Sequence, residues 1–318
     1  MIDIRPDYTS GHLASFEAVG GGPADFTLTD AWAVGAEDSG YGRSFRALAL
    51  EGEKPIAIAQ GILRRAKTLR KLSCGSNSGF GVAWQSGRDP AAVACLADLA
   101  KRARPSIVEL FTPAPLELAG VAWENAYTFH VDLRKPPDSI LSAMSREARR
   151  EIRRAERLGV SARVVEDLPR VERAYDLIHK AAEIREFPIP PREYSLSLHR
   201  EFAKLGRQGC AISVLDGEIV AAVALLGYGK KVAWWKGGSS PEGYKSSAGN
   251  LAQFAAMEWA KNCGFDVYDL GGTDPNRPAY AGIHKFKSSL GGALITTSLG
   301  CRWTATARLA RRVAHSLK

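Results

Sequence analysis

Hydrophobic and polar positions follow one layout twice along this chain. The first copy runs FRALALEGEKPIAIAQGILRR, then KLSCGSNSGFG, then AAVACLADLAKRARPSIVELFTP. The second runs CAISVLDGEIVAAVALLGYGKK, then VAWWKGGSS, then LAQFAAMEWAKNCGFDVYDLGGTDP. Each reads as strand, glycine turn, strand, strand, helix, strand and a closing proline. The turns at Gly52 and Gly217 lie in Glu-Gly-Glu and Asp-Gly-Glu, which punctuate strand-forming runs as hairpins. Alanine, leucine and methionine recur at helical spacing in the segments that follow, with no internal proline. From turn to proline the spacing is 61 residues (Gly52 to Pro113) and 58 residues (Gly217 to Pro275). A unit repeated with its order intact argues for duplication. Hairpin strands followed by a helix and a further strand predict a mixed α/β sheet.

A third periodic segment lies between the copies. In residues 139–158, Leu141, Met144, Ala148, Ile152 and Ala155 form one apolar stripe at helical spacing. Asp138 or Ser139 is placed to cap this helix and Gly159 to end it. Six arginines (146, 149, 150, 153, 154 and 157) cover its other faces against three glutamates. That face is either solvated and laced with i,i+4 pairs or a track for phosphates.

Composition narrows the class. The chain has 318 residues, 45% hydrophobic and 24% charged, which suits two globular domains and excludes disorder for its bulk. No apolar run reaches the roughly 20 residues that span a bilayer, and no secretory pattern opens the chain. Five scattered cysteines without a CxxC pair indicate neither a disulfide framework nor a zinc site, so a cytoplasmic protein is expected. The net charge of +9 is unevenly held. Residues 1–136 carry 15 basic and 15 acidic side chains, and residues 137–318 carry 28 and 19. The second half is therefore the expected contact for an anionic partner.

The strand, turn and helix order resembles the GNAT acyltransferase layout, in which two neighbouring strands splay and leave a cleft for an acyl donor and an amine. VAWWKGGSS, GFDVYDLGGTDP and AGIHKFKSSLGG together resemble the second half of the Fem-type (FemABX-like) aminoacyltransferases. SREARREIRRAERLGV and EIREFPIPPREY resemble two further segments of that family, and FTLTDAWA is a weaker match. The resemblance implies tandem GNAT-like domains, each a mostly antiparallel mixed sheet flanked by helices: a degenerate one over 1–136 and a second over 137–300. A basic amphipathic helix is expected over 301–318. It further implies transfer of an aminoacyl group from aminoacyl-tRNA to an amine, with the tRNA as co-substrate and no other cofactor. The acceptor would be a peptidoglycan precursor or a small secondary metabolite. Two family positions differ: the lysine that grips the acceptor's diphosphate is replaced by Ala36, and a first-domain carboxylate by Thr112.

By match to the family motif, Phe286 and Lys287 lie near the transferred group, with Lys287 placed to steady an oxyanion. Asp269 ends a strand and is a candidate to orient the amine or take its proton, or to cap a turn. Trp234 and Trp235 offer stacking faces or fill the core. Arg185, Arg192 and Tyr194 are candidates to hold an anionic acceptor. Arg149, Arg150, Arg153, Arg154, Arg308, Arg311 and Arg312 are the candidate tRNA contacts. No Ser/His/Asp or Cys/His spacing suggests covalent catalysis, and no metal-ligand cluster occurs. The competing reading is an acyl-CoA N-acyltransferase. Its pyrophosphate loop would fall on Lys245-Ser-Ser-Ala-Gly-Asn, where Ala248 replaces the first glycine and Asn250 the last small residue. A non-catalytic RNA- or membrane-binding scaffold is the third.

If the arginine helix contacts tRNA, replacing Arg149, Arg150, Arg153 and Arg154 with glutamine should flatten the salt dependence of binding. Each lost phosphate contact removes about 0.7–0.9 from the log–log slope. Filter binding of tRNA between low and moderate salt measures it; an unchanged slope would place the contact elsewhere.

Overall fold

In the computed structural model of the chain, residues 2–21 and 24–304 are described. Compact packing divides it into two units, Met1–Ala126 with Thr296–Lys318, and Tyr127–Ile295. The first unit contains β1 (Ile2–Arg5), α1 (Ser10–Ala18), α2 (Asp30–Asp38), β2 (Arg43–Glu51), β3 (Lys54–Ala66), β4 (Leu69–Ser76), the short β5 (Gly79–Phe80) and β6 (Val82–Trp84), α3 (Asp89–Ala103) and β7 (Ile107–Thr112). Strand β8 (Ala122–Asp132) leads into the second unit. There follow α4 (Pro137–Ala143), α5 (Arg146–Arg157), β9 (Ser161–Val165), α6 (Leu168–Ile184), α7 (Arg192–Ala203), β10 (Gln208–Leu215), β11 (Glu218–Tyr228) and β12 (Lys231–Ser239). The second unit closes with α8 (Pro241–Lys245), α9 (Ala248–Asn262), β13 (Val267–Asp269) and α10 (Ala281–Ser289). The last strand, β14 (Ala293–Trp303), returns the chain to the first unit.

The duplicated layout is realised strand for strand. In the first unit β1, β2, β3 and β4 pair antiparallel in sequence, and β7 then joins β4 in parallel through Lys71–Cys74 and Ile107–Leu110. In the second, β9 to β12 pair antiparallel, and β13 joins β12 in parallel. Each parallel strand is flanked by an antiparallel one: β14 on β7 and β8 on β13. Both hairpin glycines have the positive φ that the sequence pattern demanded, 64° at Gly52 and 83° at Gly217. The architecture is α/β, of mixed, mostly antiparallel strands flanked by helices, with one strand order used twice.

The second unit has helices on both faces of its sheet. One face packs Val223, Leu225, Val232 and Tyr268 against Ala252, Ala256 and Met257 of α9 and Ile152 of α5. The other packs Ile212, Ala222 and Ala224 against Val171, Tyr175 and Ile178 of α6. Strands covered on both sides carry near-continuous apolar runs, as AAVALLG does.

Two expectations about helices are corrected. The single helix over 139–158 is two helices, because Ser145 ends the first and caps the second. Its Oγ accepts from the Ala148 amide at 3.0 Å, while its own N–H donates to the Ser289 carbonyl at 2.8 Å. Serine competes for local backbone partners in this way, so it suits a cap better than a helix interior. Residues 301–303 end strand β14 rather than begin a helix, since they pair with Glu109–Ile107. Arg308, Arg311 and Arg312 lie outside the described residues.

Within the first unit, the space beside β4 and β7 is filled by the chain itself. β5 pairs with Gly75 and Ser76, and the Gly81 N–H donates to the Phe111 carbonyl at 3.3 Å. A side chain at Gly81 would collide with the backbone of Cys74 and Gly75. Gly81→Ala should therefore destabilise the protein by about 2–4 kcal/mol through forced backbone displacement. Urea unfolding checks this; a change near zero would mean the plug is loosely seated.

Candidate active site

In the second unit no short strand among the described residues pairs beside the corresponding stretch of β12. β12 and β13 pair over three residues only, Lys231–Ala233 with Val267–Asp269. β12 continues to Ser239, whereas β13 stops at Asp269 and the chain turns away through Gly271, whose φ is 76°. The strands splay, and the β13-side edge of Trp234–Ser239 faces a wedge instead of a partner strand. β12 also bulges here. Ala224 pairs with Lys236 and Leu225 with Trp234, so Trp235 is the extra residue. Bulges re-aim side chains and often lie next to active sites.

Helix α10 delivers Lys287 to this wedge. Its ammonium donates to the Gly272 carbonyl at 2.7 Å and lies 4.9 Å from the centre of the Trp234 ring. The Phe286 ring meets Trp234 edge-on at 6.1 Å. Lys287 is only 6% exposed. Burial lowers its pKa to about 7; Asp269 opposes that shift and Lys236 adds to it. A lysine held near neutrality is a cation or a neutral amine according to small changes around it.

Asp269 is 1% exposed and fully engaged. It accepts from the Thr128 hydroxyl and, at 2.8 Å, from the Gly271 N–H. His130 Nε2 lies 3.3 Å and Lys231 Nζ 3.9 Å from its other oxygen. Burial alone pushes the carboxyl up, but the His130 hydrogen bond, the Lys231 charge and the Thr128 hydroxyl bring it below its ordinary value. Its bond to the Gly271 N–H is the turn-capping contact read from the sequence. His284, two residues before Phe286, is 3.2 Å from the Thr273 hydroxyl and tilted against Phe129.

The other candidate substrate residues are dispersed. Arg185 lies 4.1 Å over the exposed ring of Tyr244. Arg192 binds Asp176 at 2.6 Å and Glu193 at 3.3 Å. Tyr194 is buried at 2% exposure on α7. Trp234 is half-buried at the wedge and Trp235 is buried, with the Lys236 ammonium 4.3 Å from its ring centre. Lys236, His130, Thr128 and Lys231 did not emerge from the sequence. Their one visible signal was charge or polarity inside otherwise apolar strand runs.

Helix α5 turns its apolar stripe (Ala148, Ile152, Ala155) inward. Arg150, Arg153 and Arg157, with Glu156, line an open surface hollow of about 560 Å³. Arg149 is half-buried and donates to the Ser142 carbonyl, and Arg154 donates to Ser247 Oγ at 3.0 Å. Ser247 precedes α9, with φ of 60°, and its hydroxyl donates to the Glu151 carboxylate. A carboxylate from α5 thus lies at the N-terminal end of α9.

The similarities fit this geometry. A family model described as an acetyltransferase (GNAT) domain matches residues 142–287, a span that ends on Lys287. No curated protein matches the chain. The crystal structure of FemX superposes with a TM-score of 0.71 at 15% identity, covering 94% of this chain and 96% of that one. L-PGS from Bacillus licheniformis superposes at 0.56 with 14% identity, covering 94% and 93%. A tandem GNAT protein from the clavulanic acid biosynthesis pathway superposes at 0.59 with 12% identity, covering 95% and 98%. At such identities the likeness speaks for the fold. The chain has the GNAT fold, and its residues 142–287 match the acetyltransferase (GNAT) domain model.

Burial of Lys287 has a measurable cost. Its folded pKa, near 7, lies below the ordinary lysine value of 10.5. Between these values the unfolded chain binds more protons, so stability rises with pH across that window; below about 7 the full cost of burying the charge applies. Lys287→Met should therefore raise the melting temperature by about 2–8 °C at pH 6. The gain should shrink toward pH 10. Calorimetry at several pH values tests this, and a gain independent of pH would deny that the buried charge is the cause.

Proposed function

We propose that this protein is an acyltransferase that moves an aminoacyl group from aminoacyl-tRNA to an amine, forming a peptide or isopeptide bond. The observation that carries the reading is the buried Lys287 ammonium, held where β12 and β13 part and beside the Trp234 ring. The acceptor nitrogen attacks the ester carbonyl and a C–N bond forms. The C–O bond to the terminal ribose then breaks, and the ribose oxygen leaves with a proton equivalent to the one lost by the amine. A cation beside the developing oxyanion lowers the barrier because it is preorganised in a poorly solvated site. The ester is already activated, so correct placement of the amine accounts for most of what remains.

Two further features support the tRNA donor. The basic hollow of α5 suits a phosphate backbone better than a single cofactor. At the start of α9, the helix end that would receive a cofactor pyrophosphate faces Glu151 through Ser247. The Ser247 hydroxyl is thereby engaged by Glu151 and Arg154 and is not free to cap a pyrophosphate. The peptidoglycan-precursor and small-metabolite acceptors both remain within the proposal, since each offers an amine.

A transfer assay separates the donors. Product should form from charged tRNA and disappear on RNase treatment, while acetyl-CoA gives none. Lys287→Ala should lower kcat by about 10²–10³ with little change in KM. Product from acetyl-CoA that survives RNase would replace this reading with a CoA-dependent one.

A further inference from the structure

Tyr268 and Val131 pair across β13 and β8 and pack into the core beneath α9, so their chain neighbours Asp269 and His130 project from the other face of the sheet. On that face α6 packs over β9, β10 and β11, through Val165, Cys210, Ile212, Ala222 and Ala224, and this cluster contains no residue of β13 or β8. The His130 side chain keeps 30% of its surface exposed, whereas the Asp269 side chain beside it keeps 2%. His130 Nε2 lies 3.3 Å from Asp269 Oδ2, and this is the ring's one polar contact among the described residues. The other carboxylate oxygen accepts from the Thr128 hydroxyl and, at 2.8 Å, from the Gly271 N–H. Burial pushes the carboxyl up, but the His130 hydrogen bond, the Lys231 charge and the Thr128 hydroxyl bring it below its ordinary value, so it is ionised at neutral pH.

A ring nitrogen that faces a carboxylate carries the proton, which leaves the lone pair of the neutral His130 ring on Nδ1. Asp269 itself cannot take a proton from a substrate without giving up the contacts that fill both its oxygens. A buried carboxylate behind a half-exposed imidazole supports general-base catalysis, because it fixes the ring and stabilises the imidazolium. The pair also stands where β12 and β13 part. Asp269 is the last paired residue of β13, opposite Ala233. The turn that it anchors at Gly271 continues to the Gly272 carbonyl, which holds the Lys287 ammonium at 2.7 Å. Lys287 rests over Trp234, whose side chain packs on the α9 side of the sheet. The cation and the imidazole thus lie on opposite faces and are joined through one turn. We infer that His130, oriented by Asp269, is the general base that takes the proton of the acceptor amine at Nδ1. The inference rests on the transferase reading above. As the C–N bond forms, the nitrogen's proton passes to Nδ1 and Asp269 stabilises the imidazolium. The ring then yields that proton to water through its exposed edge, while the leaving ribose oxygen takes one up from water. The proton-accepting role for which Asp269 was a candidate falls to its partner.

The test has one arm that needs no substrate. Nitrogen NMR of the isotope-labelled full chain, with the His130 signals assigned by their loss in His130→Gln, should show the neutral ring protonated at Nε2 and bare at Nδ1. The second arm is the transfer assay, with charged tRNA or acetyl-CoA as donor and a lysine-containing tripeptide as acceptor. His130→Ala should lower kcat by about 10²–10⁴ with little change in KM. His130→Gln, which can still donate to Asp269 but is no base, should be equally slow. Circular dichroism checks that both variants are folded. Imidazole added to His130→Ala should restore turnover in proportion to its concentration, and pyrazole, a ring of the same shape but a far weaker base, should not. A ring protonated at Nδ1 would overturn the assignment whichever donor is used, even where neither yields product. Wild-type turnover in His130→Ala or His130→Gln would overturn it as well. Product from acetyl-CoA that is lost in His130→Ala and regained with imidazole would refute the tRNA donor and leave the general base standing.

Discussion

The parallel pairing of β12 with β13 ends after three residues, and the site depends on that early stop. A strand edge left without a partner must find donors and acceptors elsewhere. Here the chain does not supply them from a neighbouring strand. Gly271 takes the left-handed conformation that diverts the backbone, and the Asp269 carboxylate anchors the turn through the Gly271 amide. The Gly272 carbonyl is thereby aimed at Lys287. A tight turn, a buried carboxylate and a buried ammonium are thus linked parts of one arrangement.

The duplicated unit shows the alternative outcome. The first unit has the same strand order and a similar short parallel pairing, but β5 and Gly81 occupy the space beside it. A plugged opening cannot admit two substrates. Duplication therefore provides two frames of the same kind, of which the second has no short strand beside its parting strands. The carboxylate in the first frame, Glu109, is spent on an ion pair with Lys71 at 2.8 Å.

Charge in the second unit is arranged by depth. Exposed arginines on α5 interact with solvent and with Glu151, and each such pair contributes little to stability. Lys287 and Lys236 are different, because desolvation lowers both toward neutrality. Cations kept near one another without a matching carboxylate for each lower the stability of the empty protein. They also enlarge the response to an arriving anion, since a poorly screened charge acts more strongly than one in water. Loss of stability at a cleft, offset by well-packed apolar faces on both sides of the sheet, is the usual arrangement at a site shaped by function.

How much was legible follows from the range of each interaction. Short-range rules act between neighbours in the chain, so the sequence alone determined the two hairpin turns, the strand order, the apolar stripe of α5 and the end of that helix at Gly159, whose φ is 81°. The motif around Phe286 and Lys287 was visible as well, because its residues are consecutive. The break at Ser145 was not, since its N–H is satisfied by Ser289, far along the chain. The diversion of Arg192 to Asp176 and of Arg185 to Tyr244 likewise required the packing of α6, α7 and α8. Lys236 looked like an ordinary strand-end lysine until a one-residue bulge set its ammonium over the Trp235 ring. Only the tertiary structure decided those pairings, because desolvation and charge act through space between segments that periodicity treats as independent.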